Sequence, residues 1–364
     1  MIMSNAKKMT YEAIAIKGDV AYASDYERNG LFKVNMSTGE CEFIRLFDDE
    51  AVNKSRIHCS AIWIGTQIYF VPASGNRITI YNPEDNSMVS VEIPLPKLKQ
   101  YSFYRAQFKF IRAIKREDNL WLVPCSYPGV VKFNLLNYSV QVFDEWIEND
   151  DYFFRIGVGV ESEKIIAANG KNNAVLIFDM EKESGEIVRI GAKNNGVMHV
   201  CKIKDEYWFA PRLPGTITVW NIGNNQITEY DKYPEGFESG NPVFCTVYNF
   251  LDKVFFVPLK SNYGLVFDNG HLRLNNDLRD KYGQGMIEYL FETDTERFFR
   301  KVENRNNYKY FKISKMDNKV EEYAFVYYDN GERDRCMIGL MSAQRVIVKE
   351  NISVGLKALI NGLR

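Results

Sequence analysis

Ionisable side chains stand near the start of several segments that are otherwise built mainly from Ile, Val, Ala and Phe. Each lies eight to ten residues before a strand-like motif that recurs along the chain. A charged group inside an apolar segment costs free energy unless it is paired or solvated. We therefore expect these side chains to line a polar mouth that holds water or a ligand. They are Glu12, His58, Arg112, Arg155, His199 and Glu288, joined by Ser60 and Thr246.

These residue types support three kinds of role. His58 or His199 could transfer protons because imidazole titrates near neutral pH, and an arginine such as Arg112 could stabilise developing negative charge. The same groups could bind a small polar ligand through hydrogen bonds and charge. They could also pair with one another inside a water-filled channel, which would give them a structural role only. The sequence leaves all three interpretations open.

A long connection adds aromatic side chains to the same predicted face. Residues 96–109 include Tyr101 and Tyr104. Aromatic rings beside polar groups stack on sugars or planar ligands, and they are also common at protein-binding surfaces. The pattern favours a carbohydrate or another small polar ligand, with a protein partner as the alternative. The two tyrosines could instead simply hold the long loop in place.

The motif that positions these residues occurs seven times, and successive copies begin 42 to 52 residues apart. A copy combines an apolar strand, a second strand, a loop rich in Gly, Asn, Ser or Pro, a third strand that commonly ends in Asn or Asp, and a fourth strand. Short apolar runs separated by such turns predict β-hairpins. The second strands are predicted to begin at Val20, Ile68, Leu120, Ile165, Tyr207, Val254 and Arg297.

Four short strands per repeat at this spacing are typical of a propeller blade. The chain resembles seven-bladed β-propellers of the kelch, NHL and YVTN kind over residues 9–328. It lacks the double glycine of kelch repeats and the Gly-His and Trp-Asp pairs of WD40 repeats, so the resemblance assigns no functional residue. It implies an all-β fold in which residues 1–364 form a single propeller domain.

The segment after the seventh repeat is harder to interpret. Residues 329–364 hold two strand-like pieces and an amphipathic stretch. We expect an extension that closes or caps the propeller. An incomplete eighth blade and a helix that docks on a partner are the alternatives.

Composition and missing motifs narrow the function classes. The 46 basic and 47 acidic residues give a net charge of -1, which provides no global field for nucleic acid or anionic membranes. The residues before the first repeat lack the apolar run of a signal peptide, so we expect a cytoplasmic protein whose six scattered cysteines are reduced thiols. No metal-binding or phosphate-binding motif is present, and no cofactor is predicted.

The sequence therefore favours a ligand-binding propeller module with a polar pocket at the channel mouth. A protein-interaction scaffold is the first alternative. The second is a propeller lyase or hydrolase that uses one of the two histidines at the mouth.

Overall fold

The structure is a computed structural model that describes residues 6–51, 54–94, 108–147, 154–161, 163–276, 286–304 and 307–328. Within these residues the chain forms thirty β-strands in seven sheets. The first sheet contains β1 (Ala6–Met9), β2 (Tyr11–Lys17), β3 (Val20–Asp25), β4 (Leu31–Asn35), β5 (Glu40–Arg45) and β30 (Phe325–Tyr328).

The other six sheets each have four strands in chain order, and every strand pairs with the next. The second and third sheets contain β6 (His58–Ile64), β7 (Gln67–Pro72), β8 (Arg77–Asn82), β9 (Ser87–Glu92), β10 (Phe110–Arg116), β11 (Asn119–Pro124), β12 (Val130–Asn134) and β13 (Val140–Phe143). The fourth and fifth contain β14 (Phe154–Glu161), β15 (Lys164–Asn169), β16 (Ala174–Asp179), β17 (Ser184–Arg189), β18 (Val197–Ile203), β19 (Glu206–Pro211), β20 (Ile217–Asn221) and β21 (Gln226–Tyr230). The sixth and seventh contain β22 (Phe244–Phe250), β23 (Lys253–Pro258), β24 (Gly264–Asp268), β25 (His271–Asn275), β26 (Met286–Glu292), β27 (Glu296–Asn304), β28 (Asn307–Ser314) and β29 (Val320–Glu322).

This topology confirms the predicted all-β fold with seven four-stranded β-propeller blades. The predicted prolines, such as Pro124 and Pro211, end the second strand of their blades, where a missing N–H donor is tolerated. The first two strands of most blades are joined by tight hairpins that need a positive φ. Gly65 supplies it in the second blade with a φ of 62°, and Glu117 adopts a φ of 49° in the third.

The turn after the third strand also follows the predicted pattern. The side-chain oxygen Oδ1 of Asn35 accepts hydrogen bonds from the backbone N–H groups of Ser37 and Thr38, at 2.9 and 3.1 Å. Asn134, Asp179 and Asn221 do the same for their own turns. A short polar side chain that binds the backbone two residues later favours a turn over continued strand pairing.

Burial explains why the strands of one blade differ in sequence. The second strand β11 is buried from Leu120 to Pro124, because both of its faces pack against other residues. The fourth strand β9 alternates between exposed and half-buried residues. Between the third and fourth blades, Trp121 and Phe143 pack on Phe178 with ring centroids 5.7 and 5.5 Å apart. Aromatic pairs of this kind each contribute about 0.5–1.5 kcal/mol beyond their buried area.

The described chain divides into two compact units. Unit 1 consists of residues 1–70, 79–90 and 324–364, and unit 2 consists of residues 71–78 and 91–323. In unit 1 the first blade is extended at its outer edge, where β30 pairs parallel with β5 and β1 pairs antiparallel with β30. Residues 329–364 lie outside the described residues, so their predicted role stays a prediction, as does a single domain over the whole chain.

No helix in the described part of the chain is long and apolar enough to cross a membrane.

Candidate functional site

Strand register decides which way the predicted polar residues point. The innermost strand of a blade begins with a buried residue, as Phe110 does in β10 and Val197 in β18. A β-bulge follows, so that Phe110 pairs with Pro124 while Arg112 pairs with Val123 on the adjacent rung. One extra residue in a strand moves the next side chains to the other face. The first and third residues of these strands therefore point in opposite directions.

The third position carries several of the predicted polar residues. Arg112 and His199 occupy it in the third and fifth blades, and Thr246 occupies it in the sixth. In the first blade the same rung holds Ala13, and Glu12 is the bulged residue before it. His58 is the first residue of its strand, the position that Phe110 fills in β10.

His58 lies in a dry, apolar part of unit 1. Its side chain is 1% exposed, and its ring centroid lies 4.4 Å from that of Phe47 and 5.3 Å from that of Phe70. The Nδ1 atom is 2.9 Å from the hydroxyl oxygen of Ser24, and Nε2 is buried without a hydrogen-bond partner in the described chain. Burial, assisted by the positive charge of Lys54, lowers the pKa of His58 to about 3. The imidazole is therefore neutral at physiological pH.

Both predicted glutamates form ion pairs. Arg56 donates hydrogen bonds from Nε and Nη2 to the two carboxylate oxygens of Glu12, each at 2.8 Å. Glu288 accepts hydrogen bonds from Nε of Arg300 at 2.9 Å and from Nη2 of the same guanidinium. Arg300 is its cross-strand neighbour on β27 and is 6% exposed. Neither carboxylate lies in the polar group described next.

A second group of polar side chains surrounds His199 in unit 2. The ring centroid of His199 lies 6.1 Å from that of Tyr289 on β26. Burial, followed by the positive charges of Arg112 and Arg297, lowers the pKa of His199 to about 3. Its Nδ1 atom is buried and has no hydrogen-bond partner among the residues that the structure describes. The imidazole is therefore neutral and responds to two cations from different blades.

Tyr289 is held in its neutral form by the same surroundings. Burial and the carboxylate of Glu292 raise the pKa of its hydroxyl, while Arg112 and Arg297 oppose that rise. The hydroxyl therefore stays protonated at neutral pH and can donate a hydrogen bond. Arg112 and Arg297 act on both Tyr289 and His199, so the four side chains form one electrostatic group.

Arg297 is fixed in place from two sides. Its guanidinium carbon lies 4.2 Å from the ring centroid of Tyr248, a cation–π contact. Its Nε atom is 3.7 Å from a carboxylate oxygen of Glu292, and the same oxygen lies 3.4 Å from Nζ of Lys315. One of its terminal nitrogens is buried without a hydrogen-bond partner in the described chain. We call His199, Tyr289, Arg297, Tyr248 and Arg112 the His199 cluster.

Arg112 differs from the other members because it is exposed. No hydrogen bond or ion pair joins it to an acidic residue in the described part of the chain. Its charge acts on the pKa values of His199 and Tyr289. A guanidinium without an acidic partner can bind an anionic group.

Three predicted site residues lie wholly or partly outside the described residues. Arg155 belongs to β14, but its side chain lies outside the described residues. Tyr101 and Tyr104 lie outside them altogether.

Three members of the His199 cluster were missed by sequence reasoning, namely Tyr248, Tyr289 and Arg297. The one available signal was Arg297, which stands where the other six repeats carry Val, Ile, Leu or Tyr.

No group of three or more His, Cys, Asp or Glu side chains in the described ranges is arranged to hold a metal ion.

No protein-family model and no curated protein sequence matches the chain. Solved structures of β-propellers do match it. Virginiamycin B lyase from Staphylococcus aureus is 11% identical with a TM-score of 0.57 and covers 87% of this chain and 97% of its own. A streptogramin B lyase is 12% identical with a TM-score of 0.55 and covers 80% and 90%. A chain of the mitotic checkpoint complex is 11% identical with a TM-score of 0.54 and covers 84% and 90%. These likenesses show the fold alone: the chain is a seven-bladed β-propeller.

Proposed function

We propose that the protein is a ligand-binding propeller module that binds a small, negatively charged polar ligand at the His199 cluster. The observation that carries this proposal is the pair of arginines that act on one neutral imidazole. Arg112 is exposed and Arg297 is packed on Tyr248, and the charge of each lowers the pKa of His199. An anion bound at Arg112 would be attracted by the same positive charges that act on His199.

The side chains of the cluster suit anion recognition. Guanidinium groups bind carboxylate or phosphate oxygens through paired, charge-assisted hydrogen bonds. The protonated hydroxyl of Tyr289 supplies a further donor. His199 is neutral, so it adds no charge that would need a counter-ion. A carbohydrate stays a prediction, because Tyr101 and Tyr104, on which it rested, lie outside the described residues.

The test is a calorimetric titration with citrate and with inorganic phosphate at about 10 mM ionic strength, where charge screening is weak. We expect binding by the native protein and at least about tenfold weaker binding by Arg112→Gln. The matched control is Arg116→Gln, which removes an arginine from the same strand that already pairs with Glu163 at 3.4 Å. Absence of binding by the native protein, or equal weakening in both variants, would contradict the proposal.

A lyase is the second candidate, and the neighbouring His199 and Tyr289 rings favour it. One structural neighbour is a catalytically inactive histidine-to-alanine variant of virginiamycin B lyase with quinupristin. A histidine whose pKa is about 3 is a weak general base at neutral pH, so we rank this candidate below binding. Mass spectrometry after incubation with quinupristin tests it. Turnover that disappears in His199→Ala would replace the binding proposal.

The scaffold alternative rested on the amphipathic stretch within residues 329–364, which lie outside the described residues. A cytoplasmic location and the exclusion of nucleic acid and membranes stay predictions.

A further inference from the structure

We propose that the turn formed by Asn269 and Gly270 is a site of spontaneous covalent modification, at which the asparagine is converted to aspartate and isoaspartate. The reaction consumes water and needs no enzyme. The inference does not rest on the proposed anion site. It rests on the exposure and geometry of this turn, and on the way in which three other Asn-Gly pairs of the chain are held.

The turn is a tight hairpin connection in the sixth blade. Asp268 pairs with His271, so Asn269 and Gly270 alone join β24 to β25. Their φ angles are 48° and 81°, the positive values of a type I′ turn, in which Asn-Gly is a preferred pair. Both residues are exposed, and no described atom outside the adjacent residues lies within 4 Å of the position that a Cβ would take on Gly270. Neighbouring groups therefore do not hinder a change of conformation there.

The chemistry needs only these two residues and water. The backbone nitrogen of Gly270 loses its proton to hydroxide and attacks Cγ of the Asn269 carboxamide. A C–N bond forms, the bond from Cγ to the side-chain nitrogen breaks, and ammonia leaves with a proton from water. Water then opens the five-membered succinimide at either carbonyl carbon, which gives aspartate or isoaspartate. Glycine favours the first step, because it has no Cβ to obstruct the approach and its backbone rotates freely.

The attack requires the turn to leave its hairpin conformation for a short time. The strand β25 is the last strand of its four-stranded sheet, and its residues alternate between exposed and half-buried up to Leu274. Segments with few buried contacts open locally at a low cost in free energy. The rotation that brings the nitrogen of Gly270 to Cγ of Asn269 therefore needs only local opening.

Two other Asn-Gly pairs have buried asparagines whose carboxamides are already bound. Asn29 is 0% exposed and donates from Nδ2 to the carbonyl oxygens of Phe47 and Glu50, at 3.0 and 3.1 Å. Its Oδ1 accepts a hydrogen bond from the backbone N–H of Phe47 at 2.9 Å. Asn169 is also 0% exposed, and its Oδ1 accepts from the backbone N–H of Lys171 at 2.9 Å. Neither side chain can reach the next backbone nitrogen without losing these contacts.

The third pair is held on both of its residues. Asn195 is half-buried and donates from Nδ2 to the hydroxyl oxygen of Thr216 at 3.3 Å. Gly196 packs so closely that a Cβ on it would lie 2.4 Å from the carbonyl oxygen of Gly170. The carboxamide of Asn269, by contrast, makes no hydrogen bond to the residues that the structure describes. Among these four pairs, Asn269 is the one whose side chain is free to react.

The experiment incubates the native chain at mildly alkaline pH, with and without urea, and quantifies each Asn-Gly peptide by mass spectrometry over time. In the folded chain we expect Asn269 to be converted at least about tenfold faster than Asn29, Asn169 and Asn195. In urea the four rates should become similar, because the protecting contacts are lost. The control Asn269→Gln should lack the product, because its longer side chain closes a six-membered ring slowly. Circular dichroism checks that this variant keeps the fold.

The product should also disturb the hairpin. Isoaspartate adds a methylene group to the main chain of a two-residue turn, and the register of a hairpin depends on the length of its turn. Hydrogen exchange of the β25 amides should therefore be faster in the converted chain than in the fresh chain. Equal conversion at the four sites in the folded chain would overturn the proposal. So would an Asn269 that stays intact in the folded chain over a period that converts it in urea.

Discussion

The two histidines on inner strands show how one chemical state can arise from two different environments. His58 in unit 1 is 1% exposed and surrounded by the rings of Phe47 and Phe70. His199 in unit 2 is half-buried, and the positive charges of Arg112 and Arg297 act on it. Both pKa values are lowered to about 3. A lowered histidine pKa therefore does not by itself distinguish His199 from His58, and the two differ instead in exposure and in the charges nearby.

The largest expected difference between the two regions is in stability. His58→Ala removes a fully buried ring from between two phenylalanines, so we expect the free energy of unfolding to fall by about 2–4 kcal/mol. His199→Ala removes a half-buried ring that carries two nearby cations, so we expect a loss below about 1 kcal/mol. Urea unfolding monitored by tryptophan fluorescence measures both. Similar losses would mean that the two environments are energetically alike.

Acid should affect the two histidines alike, because both pKa values are lowered to about 3. The pKa of His58 is about 3 in the folded state and about 6.5 in the unfolded state. Between these pH values the unfolded chain binds a proton at His58 and the folded chain does not. Stability from this residue is complete above pH about 6.5 and is lost as the pH falls towards 3, at up to about 1.4 kcal/mol per unit of pH.

The variant His58→Phe isolates that contribution, because Phe110 and Phe244 fill the first position of other inner strands. We expect a shallower dependence of the unfolding free energy on pH between 6.5 and 5, where the carboxylates remain mostly ionised. His199→Gln serves as the comparison and should change the slope by a similar amount, because its pKa is lowered to the same value. An unchanged slope in His58→Phe would show that this imidazole is not the group that titrates.

The smallest expected effect is on the pKa of His199 itself. Arg297→Gln removes one of the two cations that disfavour its protonation, so we expect the pKa to rise by about one unit. Proton-detected NMR titration of the imidazole resonances measures it. His58 lies in the other unit and should keep its value. A pKa of His199 that does not move would mean that burial alone lowers it.

The fold could be predicted from the sequence because its signals are local. Hairpins, strand-ending prolines and Asn or Asp turns each depend on a few neighbouring residues, as the hydrogen bonds of Asn35 show. The site could not be predicted as well, because the direction of a side chain depends on bulges. In β2 the bulge follows Tyr11, whereas in β26 it falls between Tyr289 and Phe291. Counting residues from the next strand cannot detect that difference.

Contacts made by loop residues are also difficult to predict from the sequence. Arg56 is a loop residue with a φ of 51°, and its side chain binds Glu12. No periodic sequence pattern predicts that geometry. Tyr248, Tyr289 and Arg297 come together through the packing of separate blades. Sequence reasoning could therefore name Arg112, His199 and His58 as candidates. It could not show that His58 packs against Phe47 and Phe70.

The parallel strand β30 has a consequence for how the chain is made. It covers the outer edge of β5, and its own far edge is covered by β1. Strands β2 to β5 are synthesised long before residue 325. Until β30 exists, the outer edge of β5 has unpaired N–H and C=O groups. Such an edge can recruit a strand from another nascent chain. We therefore expect β30 to reduce strand exchange between copies, because it closes this edge within the same chain.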